Sequence, residues 1–266
     1  MKNVFSPFKI VQGDPACGIV LLCDHARNCL PEYYGSLGLP ISEFSRHIAY
    51  DIGAEALTLG LAKRLGAPAV MACFSRLLID PNRGEDDPTL VMRLSDGTVI
   101  PGNHPITEEE ISHRKAQYYA PYHQAVDMVI EDALASGVNP IIVSIHSFTP
   151  EWKGASRKWH ATMLWDLDRR LTDFLVERLG EDAALVVADN EPYDGALHND
   201  TMYRHATSRG LAQTLLEVRQ DLIAVQSGVD EWIDRLAPLL EEANHRHDMH
   251  EVIRFGSRTD LVAPTP

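Results

Sequence analysis

Two histidines stand directly behind short apolar runs. His25 and the preceding Asp24 follow Gly18-Ile19-Val20-Leu21-Leu22-Cys23, and His146-Ser147 follow Pro140-Ile141-Ile142-Val143-Ser144-Ile145. A third run, Ala184-Leu185-Val186-Val187-Ala188, leads into Asp189-Asn190-Glu191. Ligands of open α/β sheets collect at the carboxyl ends of the strands, so these three polar groups converge if the runs are neighbouring strands. Two imidazoles arriving at such an edge suit zinc, whose catalytic sites use three nitrogen or oxygen ligands and keep a position open for water. Two residues compete for the third ligand. Asp51 lies four residues after His47, on one face if the segment is helical; an i, i+4 His–Asp pair is also an ordinary surface contact. Asn28 follows His25 by three residues, but its amide oxygen is the poorer zinc ligand. The remaining histidines, including the His245/His247/His250 cluster, read as surface or packing residues.

The elements that must carry these groups alternate. An apolar strand over 18–23 precedes a helix over 45–65, in which Ile48, Ile52, Ala56, Leu59 and Ala62 recur at helical spacing before Gly66. A strand over 68–72 runs into Phe74-Ser75-Arg76-Leu77-Leu78-Ile79-Asp80. The stretch 81–105, rich in Asp, Gly, Pro and Asn, has little periodicity and is expected as a long surface excursion of the kind that often carries function. A helix over 107–136 is capped by Thr107 and opened by Glu108, Glu109 and Glu110. Strands over 140–145, 161–165 and 184–188, helices over 167–179 and 229–246 complete the pattern. Glu217 sits in a short apolar run that fits either a strand or a helix beginning at Leu211. Continuous apolar strands alternating with helices indicate an α/β chain whose sheet, largely parallel or mixed, is covered on both faces. No linker or repeat divides the sequence, which reads as one domain over 1–266.

Composition narrows the partners. The chain has 266 residues, 45% of them hydrophobic, enough for a full core without staples. With 24 Lys and Arg against 38 Asp and Glu the formal charge is −14, a field that repels nucleic acid and anionic lipid. Four cysteines without a CxxC pair suggest neither a disulfide framework nor a sulfur-rich zinc site, and a reducing cytoplasm is the expected setting. No apolar run reaches the roughly 20 residues of a membrane span, and no targeting segment is visible. The oligomeric state is not legible.

A set of motifs goes further. Cys23-Asp24-His25-Ala26, His47 with Asp51, Phe74-Ser75-Arg76-Leu77-Leu78-Ile79-Asp80-Pro81-Asn82-Arg83, Ser95-Asp96-Gly97-Thr98 with Pro101-Gly102-Asn103, Pro121-Tyr122-His123, Ile145-His146-Ser147-Phe148-Thr149-Pro150, Asp189-Asn190-Glu191-Pro192-Tyr193 and Glu217-Val218-Arg219-Gln220-Asp221-Leu222 together resemble the N-formylglutamate amidohydrolase family over about residues 15–240. The Ser-Arg-x-x-x-Asp-x-Asn-Arg string is the most specific piece.

The resemblance implies a relative of the zinc carboxypeptidases and aspartoacylases, with a three-layer α/β/α fold around a mixed, largely parallel sheet. Such enzymes order their sites as a His-x-x-Glu ligand pair, an Arg, an Asn-Arg pair for the substrate carboxylate, a second His and a late catalytic Glu, and His25, Arg76, Asn82-Arg83, His146 and Glu217 follow that order. Asn28 departs from it, which turns attention to Asp51 and leaves Asp24 in reserve. The resemblance thus implies a divalent metal, zinc in the first instance, on His25, Asp51 and His146. It further implies catalysis by Glu217 and Arg76, with Asn82, Arg83, Asp80 and Ser147 binding the substrate. Glu191 is the alternative base, and Arg76, Asp80 and Arg83 could instead form an ion-pair network holding the long loop. Trp152, Lys153, Arg157 and Trp159 shape a pocket wall or lid, or are loop packing. The activity implied is hydrolysis of a small acidic N-acyl amino acid, N-formyl-L-glutamate foremost, as in histidine breakdown. Another N-acyl amino acid or small peptide is a second possibility, and a metal-free carboxylate-binding protein, suggested by Asn28, a third.

Overall fold

Alternate residues of the apolar strands feed two separate cores. The computed structural model describes residues 5–261. Its main sheet has seven strands, β1 (Phe8–Val11), β2 (Ile19–Cys23), β3 (Ala69–Ala72), β4 (Ile141–Phe148), β5 (Ala161–Leu164), β6 (Val187–Asp189) and β7 (Gln213–Arg219), in the spatial order β1-β3-β2-β4-β7-β5-β6. The four central strands β3, β2, β4 and β7 run parallel, β1 is antiparallel to β3, and the β5–β6 pair runs antiparallel to β7. Ile19, Leu21, Val143, Ile145, Leu216 and Val218 face the helices α1 (Ala54–Leu65), α4 (Arg170–Gly180) and α5 (Gln226–Asn244). Val20, Leu22, Ile142 and Leu215 face helix α3 (Ala120–Ala135) and the segment 74–79. The result is a three-layer α/β/α fold on a mixed, largely parallel sheet. Among the described residues no helix is long and apolar enough to cross a membrane.

The helix expected over 45–65 begins only at Ala54. Ile41–Ser45 is a 3-10 turn and the chain then runs irregularly to Gly53, which caps α1 with φ 84°. The backbone before Gly53 is committed elsewhere: Asp51 N donates to His25 O (2.9 Å), and Ala49 O accepts from Ser75 Oγ (2.8 Å). Gly53 itself presses on Ile223, whose carbonyl oxygen would lie 2.3 Å from an added Cβ. The apparent periodicity spans two cores, since Ile48 packs on one side of the sheet and Leu57 and Leu61 on the other. His47 and Asp51 therefore share no helical face.

The 107–136 helix forms with Thr107 Oγ1 accepting from Glu110 N at 3.2 Å, as α2 (Glu108–Arg114), a π-helical turn (Lys115–Tyr119) and α3. The wide turn falls just before Pro121, which lacks the N–H and the room for regular α geometry.

The long 81–105 excursion is pinned rather than loose. Arg114, 2% exposed, donates to Leu78 O (2.8 Å) and Asn103 Oδ1 (2.7 Å), while Asn103 Nδ2 reaches Leu77 O and Met92 O. Arg114→Met fills the volume but orphans these buried acceptors, and should cost about 2–4 kcal/mol of stability. Urea unfolding checks this, and a change below about 0.5 kcal/mol would show the network to be dispensable.

Candidate active site

The polar groups sit on one face of the sheet because strand alternation puts them there. Residue parity carries Val20 and Leu22 on to Asp24, Ile142 on to Ser144 and His146, and Leu215 on to Glu217. Glu217 is the direct register partner of His146 on one side and of Thr162 on the other. β4 extends to Phe148, so His146 and Ser147 lie within the strand rather than after it.

His25, Asp51 and His146, all buried, bring one ligand atom each to within 4.8 Å of the others. The Nδ1 atoms of His146 and His25 lie 2.8 and 3.3 Å from Asp51 Oδ2. Their other ring nitrogens are held from behind, His25 Nε2 by Asp80 Oδ1 at 2.7 Å and His146 Nε2 by Asp24 Oδ2 at 3.0 Å. The Nε2 sides of both imidazoles thus meet carboxylates while their Nδ1 sides face Asp51, the second-sphere arrangement that orients metal-ligating histidines. Burial disfavours the charge on Asp51, but His25 and His146 outweigh it and hold the carboxyl well below the usual range. Asp80 is likewise held down against burial by Arg76 and His25. Burial opposes a charge on His146 too, yet its hydrogen bonds to Asp24 and Asp51 push it up to about 10. Two imidazoles among three buried carboxylates make a centre that demands positive charge, and nitrogen and oxygen donors fit a zinc-like divalent ion.

Several expected roles change on this geometry. Asp80 does not face the substrate space: it is fully buried, accepts from Arg76 Nη2 (2.7 Å) and Asn82 N (2.9 Å), and lies behind His25. Asp24 backs His146 rather than completing the ligand set, with its other oxygen accepting from Tyr122 Oη (2.8 Å) and Thr201 Oγ1 (2.7 Å). Asn28 Nδ2 is engaged with Phe44 O at 2.6 Å, away from the centre. The departure at residue 28 thus no longer argues for a metal-free binder, since Asp51 brings a carboxylate to the two histidines. The third strand end does not converge: β6 runs opposite to β4 and β7, Asp189 pairs with Arg169, and Glu191 is exposed.

The centre opens into a cavity of about 380 Å³ lined by His25, Asp51 and His146, with Arg76, Asn82, Arg83, Ser147 and Glu217 around them. Arg76 joins cavity and network, Nη1 standing 3.7 Å from Asp51 Oδ1. The Ser147 hydroxyl donates to Ile52 O, and its backbone N–H points at Asp51 Oδ2 (3.3 Å). Arg83 donates to Asn82 O and, among the described residues, forms no ion pair. Burial, with Asp51 adding to it, pushes the Glu217 carboxyl up to about 7 against the pull of His146 and Arg76. Phe148, Trp152 and Tyr193 form an aromatic wall, and Arg157 stacks on all three. Asp200, which no spacing argument had singled out, also lines the cavity. Tyr122 and Thr201, which hold Asp24, were equally silent in the sequence except that Tyr122 lies in the Pro121-Tyr122-His123 motif.

The sequence pattern of the N-formylglutamate amidohydrolase family matches residues 17–224. A crystal structure of a gene product from Agrobacterium tumefaciens is 33% identical, superposes with a TM-score of 0.85, and covers 90% of this chain and 95% of its own. The N-formylglutamate amidohydrolase from Ralstonia eutropha shares the fold at 20% identity and a TM-score of 0.69, covering 90% of this chain and 98% of its own. Among curated proteins none matches. A match over residues 17–224, most of the chain, places it in the N-formylglutamate amidohydrolase family, hydrolases that act on a linear amide.

Proposed function

We propose that the protein is a metal-dependent deacylase of small acidic N-acyl amino acids, with N-formyl-L-glutamate as the leading substrate and histidine breakdown in the cytoplasm as its setting. The observation that carries this reading is the sharing of one cavity by a carboxylate-backed His25–Asp51–His146 centre, the buried Glu217 and Arg83, which forms no ion pair among the described residues. Arg83 grips the substrate carboxylate with two parallel hydrogen bonds, and Asn82 flanks it. That contact fixes the amide beside the metal ligands. Arg76 stays charged beside Asp51 and Asp80 and supplies positive potential at the amide oxygen. His25, Asp51 and His146 would hold a divalent ion, which would supply a Lewis acid for the carbonyl and for the water. Glu217 takes the proton of the attacking water and delivers it to the leaving nitrogen. The −14 charge of the whole chain does not forbid an anionic substrate, because it is screened over about 8 Å whereas Arg83 acts at contact.

A second reading, a larger acyl group, is favoured by the wall of Phe148, Trp152 and Tyr193, which offers apolar contact that a formyl group does not use. Assaying the purified protein with and without chelator on N-formyl-, N-acetyl- and longer N-acyl-glutamate tests both. Chelator-sensitive release of formate supports the first, and turnover rising with acyl length supports the second. Arg83→Ala should lower kcat/KM for acidic substrates about ten- to a hundredfold by removing a charge-assisted contact worth roughly 1.5–3 kcal/mol. Arg83→Lys should lose much of the same, and normal kinetics in both variants would make the residue structural.

A further inference from the structure

The cavity is lined by a basic and an acidic side chain that form no ion pair with each other among the described residues. Arg83 is one. Asp200, 2% exposed, is the other, and it has no ion pair among the described residues. One of its oxygens, Oδ1, caps the short helix Thr201–His205 by accepting from Tyr203 N at 2.7 Å. Its second oxygen has no hydrogen-bond partner among the described residues. A cap needs a single acceptor, and Asn or Ser would serve as well without a charge. Burying a carboxylate without a counter-charge is costly, so capping explains neither the second oxygen nor the charge. Burial, with Asp24 adding to it, pushes the carboxyl up to about 7 against the pull of the Tyr203 N–H, Arg83 and His146.

The loop bearing Asp200 is also held in place. Thr201 Oγ1 lies 2.7 Å from Asp24 Oδ1 and 3.2 Å from Pro81 O, and Thr201 N lies 3.4 Å from Asn82 Oδ1. Asp200 and the Asn82-Arg83 pair thus stand on stitched neighbouring loops and enter the same cavity. A cation and an anion set so complement a ligand that has a carboxylate and, close to it, an N–H or ammonium group.

We propose that the free oxygen of Asp200 accepts the N–H of the scissile amide and, after cleavage, holds the ammonium of the released amino acid. The inference rests on the deacylase reading above and adds a residue that recognises the nitrogen. In the reaction, water adds its oxygen to the acyl carbon while Glu217 takes one proton. The C–N bond breaks, and Glu217 returns that proton to nitrogen. The new carboxylic acid ionises and a proton from solvent completes the ammonium. Asp200 keeps the original N–H throughout and gains a charge-assisted contact at the end.

The test uses the full chain purified without chelator and two ligands, L-glutamate and glutarate, which differ in the ammonium group. Asp200→Asn and Asp200→Ser keep the cap and so the fold, checked by an unchanged Tm. Wild type should bind L-glutamate more tightly than glutarate by calorimetry. Both variants should lose about ten- to a hundredfold in L-glutamate affinity and keep that for glutarate. In kinetics, N-methylation of the amide should penalise wild type and leave the variants little worse than their own N–H substrate. Unchanged ligand preference in both variants overturns the proposal alone. Failure of wild type to bind either ligand overturns the dicarboxylate reading and the proposal with it.

Discussion

Glu217→Gln is expected to lower kcat by about 10²–10⁴ while the metal content stays at the wild-type level. The substitution keeps size and shape but cannot accept a proton. Glu217 projects from β7 beside His146, its register partner, and is 8% exposed in a cavity it shares with His25, Asp51 and His146 without being one of that set. Its rival Glu191 is exposed at the edge of the sheet and lies outside that cavity, so Glu191→Gln should leave turnover within a fewfold of wild type. The pH profile supplies a second readout. Burial favours the neutral acid and pushes Glu217 up to about 7, whereas a base must be ionised, so activity should fall as pH drops through that region. A cation on the neighbouring ligands favours the ionised form and moves the limb below about 7. Retained turnover in Glu217→Gln with the acidic limb intact would remove Glu217 from the mechanism.

The contrast between Glu217 and Asp51 explains what the sequence could disclose. Strand formation is local, so the apolar runs around residues 20 and 143 declare strands of the sheet, whereas the run around 216, which fits a strand or a helix, becomes β7 only through its neighbours β4 and β5. The Thr107 cap is local too and forms as its residue type predicts. Asp51 reaches the centre by a route that spacing could not reveal. Its segment is held by His25 O and Ser75 Oγ, partners 26 residues away in each direction from Asp51 and Ala49, and the i, i+4 relation to His47 has no helix behind it. The roles of Asp24 and Asp80 were hidden for another reason: whether a carboxylate binds a metal or backs a ligand depends on which ring nitrogen it meets. Asp200 was invisible because its position is set by contacts of Thr201 with Asp24 and Pro81, 177 and 120 residues away. The false convergence of Asp189-Asn190-Glu191 came from assuming one strand direction, and the reversal of β5 and β6 carries that end away.

Removing a ligand should have the other large effect, and the two tiers of the centre make it graded. The protein purified without chelator is expected to carry about one divalent ion per chain. His25→Ala, Asp51→Ala and His146→Ala should each lose most of it, together with nearly all amidase activity, because three donors converge on one point and none is redundant. Asp24→Asn and Asp80→Asn act one step removed. They keep every ligand but weaken the grip on the Nε2–H of His146 and His25, and should cost about 10–100-fold in metal affinity. Stability reports the same order. An ion present at 100 times its Kd stabilises the folded chain by about 2.7 kcal/mol, so a chelator should lower the Tm of wild type by several degrees. It should not move that of Asp51→Ala, which has no ion to lose. In Asp24→Asn the chelator shift should shrink, but excess metal should restore it. Full metal occupancy in both His25→Ala and His146→Ala would put the ion elsewhere, and a chelator shift that persists in Asp51→Ala would do the same by an independent measurement.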